Sequence, residues 1–159
     1  MKLVTTRRSL VVLIALIFGL LGTTTSQAGF FGPSADTKKN VALIKKLAPT
    51  ETQLLNRYAA VTGANYKNDY ITGQALLALL PDINAYISKW DALTATDSKL
   101  QAGIDLYTQS WNKYAEGITI FIDALNYQSY SKLAQGNSDL ATARGLMKKA
   151  AAVLAPYLK

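Results

Sequence analysis

Between positions 100 and 125 the apolar residues recur at Leu100, Ile104, Tyr107, Trp111, Tyr114, Ile118, Phe121 and Leu125. The steps alternate between four and three, which is one stripe along a helix with a seven-residue period. The spacing predicts a helix over about 97–126, roughly 45 Å long at 1.5 Å per residue. A rod with one apolar stripe does not stand alone in water, so other helices must cover it.

Three further segments carry matching stripes. Over 36–62, Val41, Ile44, Ala48, Leu55, Tyr58 and Thr62 keep the seven-residue phase, and Leu47, Leu54 and Val61 widen it. Ser34 and Asp36 are start signals. Pro49 interrupts the run, with Thr50 and Gln53 placed as a second cap pair. Because the phase carries through, one long helix kinked or briefly broken at Pro49 is predicted, and not two unrelated ones. Gly63, Asn65 and Asn68 then mark a turn. Over 69–93, Leu76, Leu80, Ile83, Ile87 and Trp90 repeat the pattern. Pro81 removes a bond to Leu77 but leaves the phase intact, which again predicts a kink. Over 138–158 the stripe is Leu140, Ala143, Met147, Ala150, Leu154 and Tyr157. Ala143 and Ala150 leave room for large residues of the third helix, and Pro156 marks the end.

The connectors are short. Residues 94–97 join the second and third helices, with Thr96 as the expected cap. Residues 126–135 read either as a continuation of the third helix or as a separate turn. Gly136, Asn137 and Ser138 are read as ending that stretch and capping the fourth helix. The run Ala134-x-Gly136-Asn137, followed by Ala141, Ala143 and Leu146, resembles the turn inside tetratricopeptide hairpins. No 34-residue self-similarity accompanies it, so the resemblance implies a helical corner and not a repeat. Gly103 and Gly117 lie inside the third helix, each at a cost of about 1 kcal/mol relative to Ala. They either admit a neighbouring backbone or carry no role.

No stretch alternates with period two, so no sheet is expected. The pattern as a whole predicts an all-α fold: an up-down-up-down antiparallel four-helix bundle with Pro-kinked first and second helices. The domain organisation read from the sequence is a signal peptide at 1–28, a flexible leader at 29–35 and a bundle domain at 36–159. The leader holds Phe30 and Phe31 between Gly29, Gly32 and Pro33, a composition that does not make a helix.

The first 28 residues carry the marks of export. Lys2, Arg7 and Arg8 give a positive start, residues 10–21 are unbroken apolar residues and glycine, and residues 22–28 are small and polar. Ser26 and Ala28 stand at −3 and −1 of a cleavage point after Ala28. A 12-residue helix spans about 18 Å, short of a hydrocarbon core near 30 Å, so a cleaved signal is favoured over a permanent anchor. The run Thr6-Arg7-Arg8-Ser9-Leu10-Val11 resembles a twin-arginine export signal, although Val12 stands where that signal usually has Lys. The general secretory route is the leading expectation. The chain has no Cys, which excludes a lipoprotein signal. Exported protein, periplasmic or extracellular, is therefore the expected localisation, with contact to the membrane only through the uncleaved signal.

Cleavage at that point changes the charge reading. The formal charge of +7 falls to +4 without Lys2, Arg7 and Arg8. That excess suits weak attraction to anionic surfaces and falls short of a nucleic-acid footprint. Lys38, Lys39, Lys45 and Lys46 recur beside the first stripe, either as a solvated face or as a contact for anionic polymer or lipid head groups.

The chain also has no His. Without Cys or His it cannot build a thiol nucleophile, a Cys/His zinc site, imidazole haem ligation, a Ser-His-Asp triad or a Glu-x-x-His di-iron site. Phosphate-binding glycine loops and calcium loops are missing too. No cofactor and no metal site are predicted. The remaining catalytic candidates are carboxylates: Glu116 and Asp123 on one helix face, with Asp105 and Asp82 elsewhere. Two acids on the outside of one helix are a solvated face and not a facing pair across a cleft. The aromatic residues are more suggestive. Tyr107, Trp111 and Tyr114 share a face, and Tyr86 and Trp90 repeat the idea on the second segment. Their default role is core packing; their alternative role is a Tyr/Trp-lined cavity for a small apolar or aromatic ligand.

The functional expectation is an exported, non-catalytic helical bundle that binds a partner protein or envelope component. A small-ligand carrier is the alternative, and an enzyme is the least favoured class.

Overall fold

The computed structural model of the chain describes residues 32–64 and 66–159. The expected signal peptide, its cleavage point at Ala28 and most of the leader lie outside these residues. Among the described residues the protein is all-helical, with no strand. In chain order the helices are α1 (Ala35–Ala59), α2 (Asp69–Leu77), α3 (Leu80–Asp91), α4 (Ser98–Tyr127) and α5 (Tyr130–Leu154). A π-helical turn, Ala60–Ala64, follows α1.

Four of the five starts are explained by a local side chain, and α3 has no side-chain cap. The Ser34 hydroxyl accepts the Thr37 backbone N–H at 3.1 Å, and the Asn68 carbonyl oxygen accepts that of Ile71 at 2.9 Å. Asp97, and not Thr96, caps α4: its carboxylate accepts the N–H groups of Lys99 and Leu100 at 2.9 and 3.0 Å. An anion there also suits the positive end of the helix dipole. Ser129 caps α5 through Lys132.

Two boundaries differ from the sequence reading. The segment over 69–93 is two helices and not one kinked helix. The chain turns at Ala78 and Leu79, and Pro81 sits in the first turn of α3. In that position its missing N–H leaves nothing unpaired within α3, so a new start costs less than a kink. Pro49, by contrast, lies inside the continuous α1. The second difference is the last corner. The chain reverses at Gln128, in the left-handed conformation with φ 50°, and α5 begins eight residues before Ser138. Gly136 is therefore interior to α5, and the tetratricopeptide-like run makes no corner.

Gly136 is interior because it is a contact point. A Cβ placed there would stand 3.1 Å from the Gly117 carbonyl oxygen and 3.2 Å from the Phe121 backbone nitrogen. At Gly117 it would meet Leu140 at 3.0 Å, and at Gly103 it would meet Leu154 at 2.6 Å. These pairs run in opposite order along the two helices, so α4 and α5 lie antiparallel with their backbones nearly touching. Ala143 and Ala150, fully buried, extend the same seam.

The other face of α4 receives α3, also antiparallel, with Tyr86 against Trp111 and Trp90 against Tyr107. The first helix runs opposite to α3. The Asp36 carboxylate near its start accepts from the Thr96 backbone and hydroxyl, and Asn40 donates to the Thr94 carbonyl. Near its end Arg57 pairs with Asp82. The short α2 lies beside the end of α4, with Gly73 against the Asn126 side chain. Tyr157 donates to Asp97 at 2.8 Å and ties the carboxyl-terminal turn to the start of α4. The predicted stripe on α4 is the spine of this core: Leu100, Ile104, Tyr107, Trp111, Tyr114, Ile118 and Leu125 are all buried. Each such side chain contributes about 1.5–3 kcal/mol of burial.

Candidate functional site: a buried carboxyl in an aromatic layer

The five aromatic residues singled out in the sequence come together. Tyr86 and Trp90 from α3 meet Tyr107, Trp111 and Tyr114 from α4, and all five are buried. They form a continuous chain of ring contacts. Trp90 lies over Tyr107 with centroids 4.1 Å apart and planes tilted by 32°. Tyr86 meets Trp111 edge-on at 4.9 Å, and Trp111 meets Tyr114 edge-on at 5.3 Å. Tyr58 of α1 extends the series onto Tyr114 at 5.3 Å. Such geometries suit the ring quadrupoles. They also leave no space between Trp90 and Tyr107 as the rings stand.

The polar ends of this layer are unusual. Tyr86 Oη, Tyr107 Oη, Trp90 Nε1 and Trp111 Nε1 are fully buried and, among the described residues, make no hydrogen bond of good geometry, although Tyr86 faces Trp90 and Tyr107 faces Trp111. An orphaned buried donor costs about 1–3 kcal/mol. Four in one layer mark a place where polar groups were assembled and not merely tolerated.

The group beside the Tyr86 and Tyr107 hydroxyls is Glu51, which sequence reasoning missed. It projects from the middle of α1 and is 6% exposed. The Tyr107 hydroxyl faces its carboxyl and favours the charged form, although the approach falls outside hydrogen-bond geometry. Desolvation outweighs that help and raises the Glu51 pKa to about 7. The effect is mutual. Burial, and next the Glu51 charge, push the hydroxyls of Tyr86 and Tyr107 far above their ordinary values. Among the described residues no Lys or Arg forms an ion pair with Glu51. Arg144 of α5 acts on Tyr58 and Tyr114, further along the layer. Burial holds the Tyr58 hydroxyl up at about 12 against that influence.

A signal for Glu51 was present in the chain. The first stripe reads Val41, Ile44, Ala48, then Leu55, Tyr58 and Thr62, with steps of three and four everywhere except across 48–55. The position that completes the alternation is 51. A carboxylate at a core position is a stronger pointer than acids on an outer face.

The other candidates stay apart. Glu116 pairs with Lys113 on the surface, Asp123 with Lys132 and Asp82 with Arg57, while Asp105 accepts from Gln101. Lys38, Lys39, Lys45 and Lys46 are all exposed on α1. Among the described residues no group of three or more His, Cys, Asp or Glu could hold a metal ion. No described helix is long and apolar enough to cross a membrane. No protein-family model matches the chain, and no curated protein and no solved structure shows significant similarity to it.

Proposed function

We propose that the protein, exported and cleaved after Ala28, is a non-catalytic up-down-up-down helical bundle that binds a small molecule at the Glu51 layer. Export is supported by the basic, apolar and small-residue succession at the start of the chain. The absence of Cys and His and the dispersal of the surface carboxylates among their own partners support a binding role over catalysis. One observation carries the small-molecule reading: a buried carboxyl with no cationic partner among the described residues stands beside an aromatic layer in which four buried polar atoms find only one another and that carboxyl, at poor hydrogen-bond geometry. A layer built only to pack would not need them, because Leu or Phe would fill the same volume without the desolvation cost. Pro49 is two residues from Glu51 and leaves the Lys45 carbonyl without its intrahelical donor, so α1 has a point of flexure at this level.

Native mass spectrometry of the mature protein recovered from the envelope of its own cells tests the reading. The expected result is a small-molecule adduct, released on unfolding and lost in Glu51→Leu. An adduct-free protein retained on anionic vesicles through Lys38, Lys39, Lys45 and Lys46 would overturn it in favour of an envelope-surface role.

A further inference from the structure

Glu51 and its neighbours also specify what kind of molecule fits. We propose that the layer takes an alkylated ammonium ion bearing a hydroxyl, with Glu51 as counter-ion and the Trp90, Tyr107 and Tyr86 rings as its walls. This rests on the small-molecule reading above and adds the ligand's chemistry to it.

Charge comes first. The site contains one carboxyl and, among the described residues, no basic side chain paired with it. An ionised carboxylate in such surroundings is stable only beside a positive charge, and a single monovalent cation balances it. The walls select the type of cation. Tyr and Trp faces attract cations within about 6 Å, and Trp does so most strongly. A metal ion needs several oxygen ligands, and the layer offers one carboxyl and two phenol oxygens. A bare ammonium is a compact, strongly hydrated charge that loses much on desolvation. Alkyl groups on the nitrogen weaken that hydration and give surfaces that suit ring faces. The hydroxyl follows from the same inventory. Among the described residues Trp90 Nε1 and Trp111 Nε1 meet only the Tyr86 and Tyr107 hydroxyls, at poor hydrogen-bond geometry, and a ligand oxygen close to the cationic nitrogen supplies a better acceptor.

The α3 and α4 rings touch one another in this structure, so a ligand must enter between them and Glu51, and binding must part α1 from α3 and α4. Helix α1 is held at its ends by the Asp36–Thr96, Asn40–Thr94 and Arg57–Asp82 contacts. Glu51 and Pro49 lie between those ties. Outward bowing of α1 at Pro49 opens the layer without releasing either end.

The test uses the mature protein and two probes of nearly equal shape: choline, and its uncharged isostere 3,3-dimethylbutan-1-ol. Both tryptophans of the chain lie in the layer, so their fluorescence reports on this site alone. With ionic strength held constant, choline is expected to change the emission saturably and the isostere to bind about tenfold more weakly or worse. Glu51→Gln, which keeps the shape and removes the charge, is expected to lose choline binding by a similar factor. Equal binding of the two probes, or undiminished choline binding by Glu51→Gln, overturns the ammonium assignment and leaves the small-molecule site standing. No response to either probe removes the ammonium assignment, and with a missing native adduct it removes the site as well. Should Glu51→Gln fail to fold, the comparison of the two probes on the unaltered protein still decides.

Discussion

The two sides of α4 are built on opposite principles. Toward α5 it presents Gly103 and Gly117, which let the backbones close to contact against Leu154, Leu140 and Gly136. Its ion pairs with α5, Lys113–Asp139 and Lys132–Asp123, stay at the edges. Toward α3 and α1 it presents the rings of Tyr107, Trp111 and Tyr114, and the polar ends of the first two make no well-formed hydrogen bond among the described residues. The first seam is closely fitted, and there the backbone itself is the packing surface. The second accepts a desolvated carboxyl and orphaned donors, each of which costs stability. The buried carboxyl and the four orphaned polar atoms of the aromatic layer all lie on this second face.

The α1 side should respond to pH. Glu51 has a pKa of about 7 in the folded protein against an ordinary 4.5. Between those values the folded state holds a proton that the unfolded state has released. Stability should therefore fall as pH rises from about 4.5 to 7 and stay level above, by about 3 kcal/mol in all. Urea midpoints at pH 5 and pH 8 measure the effect, and Glu51→Gln should abolish most of the difference. An identical pH difference in the two proteins would mean that Glu51 is not desolvated as the structure has it. Asp36 and Asp97 act in the opposite direction and in a different window. Hydrogen bonds from the Thr96 backbone to Asp36 and from the Leu100 backbone to Asp97 hold both below 3.8. Their contribution is present above that value and is lost only in stronger acid.

The α5 side should respond to volume instead. Gly136→Ala forces a methyl against the Gly117 carbonyl oxygen and the Phe121 nitrogen, backbone atoms that cannot turn aside. The overpacking cost, offset by the better helix propensity of Ala, predicts a loss of about 1–2 kcal/mol. Thermal unfolding measures it, and a gain in stability would contradict the close seam. The smallest effect has the opposite sign. Gly145, in the same helix, has nothing within 4 Å of a built Cβ. Gly145→Ala should therefore stabilise by about 0.5–1 kcal/mol. The pair of variants separates a glycine required by contact from one that is not, within a single helix.

Much of the fold was legible in the spacing of apolar residues. The stripe of α4 is the buried spine position by position, except that Phe121 is only partly buried. The five aromatic residues proposed as a cavity lining do meet. What failed was punctuation. Gly136, Asn137 and Ser138 have the composition of a corner, yet the corner formed at Gln128, because a glycine was needed where two backbones touch and not where the chain turns. Pro81 was read as a kink because the phase survived it. Phase is preserved equally well by a fresh helix that begins at a proline. Glu51 was overlooked because carboxylates are surface residues by default, and its desolvation exists only once α3 and α4 lie against α1.

The sequence alone therefore determined that the described chain is helical, which faces are apolar and which chemistries are out of reach. Those properties follow from periodicity and from residue types, and both are local. The tertiary structure decided the rest: which glycines are spacers, where the chain reverses, and that one acid on α1 shares a layer with two tyrosines and two tryptophans from other helices. Desolvation and backbone contact are properties of neighbours, and a one-dimensional pattern names the residues without saying which of them will stand side by side.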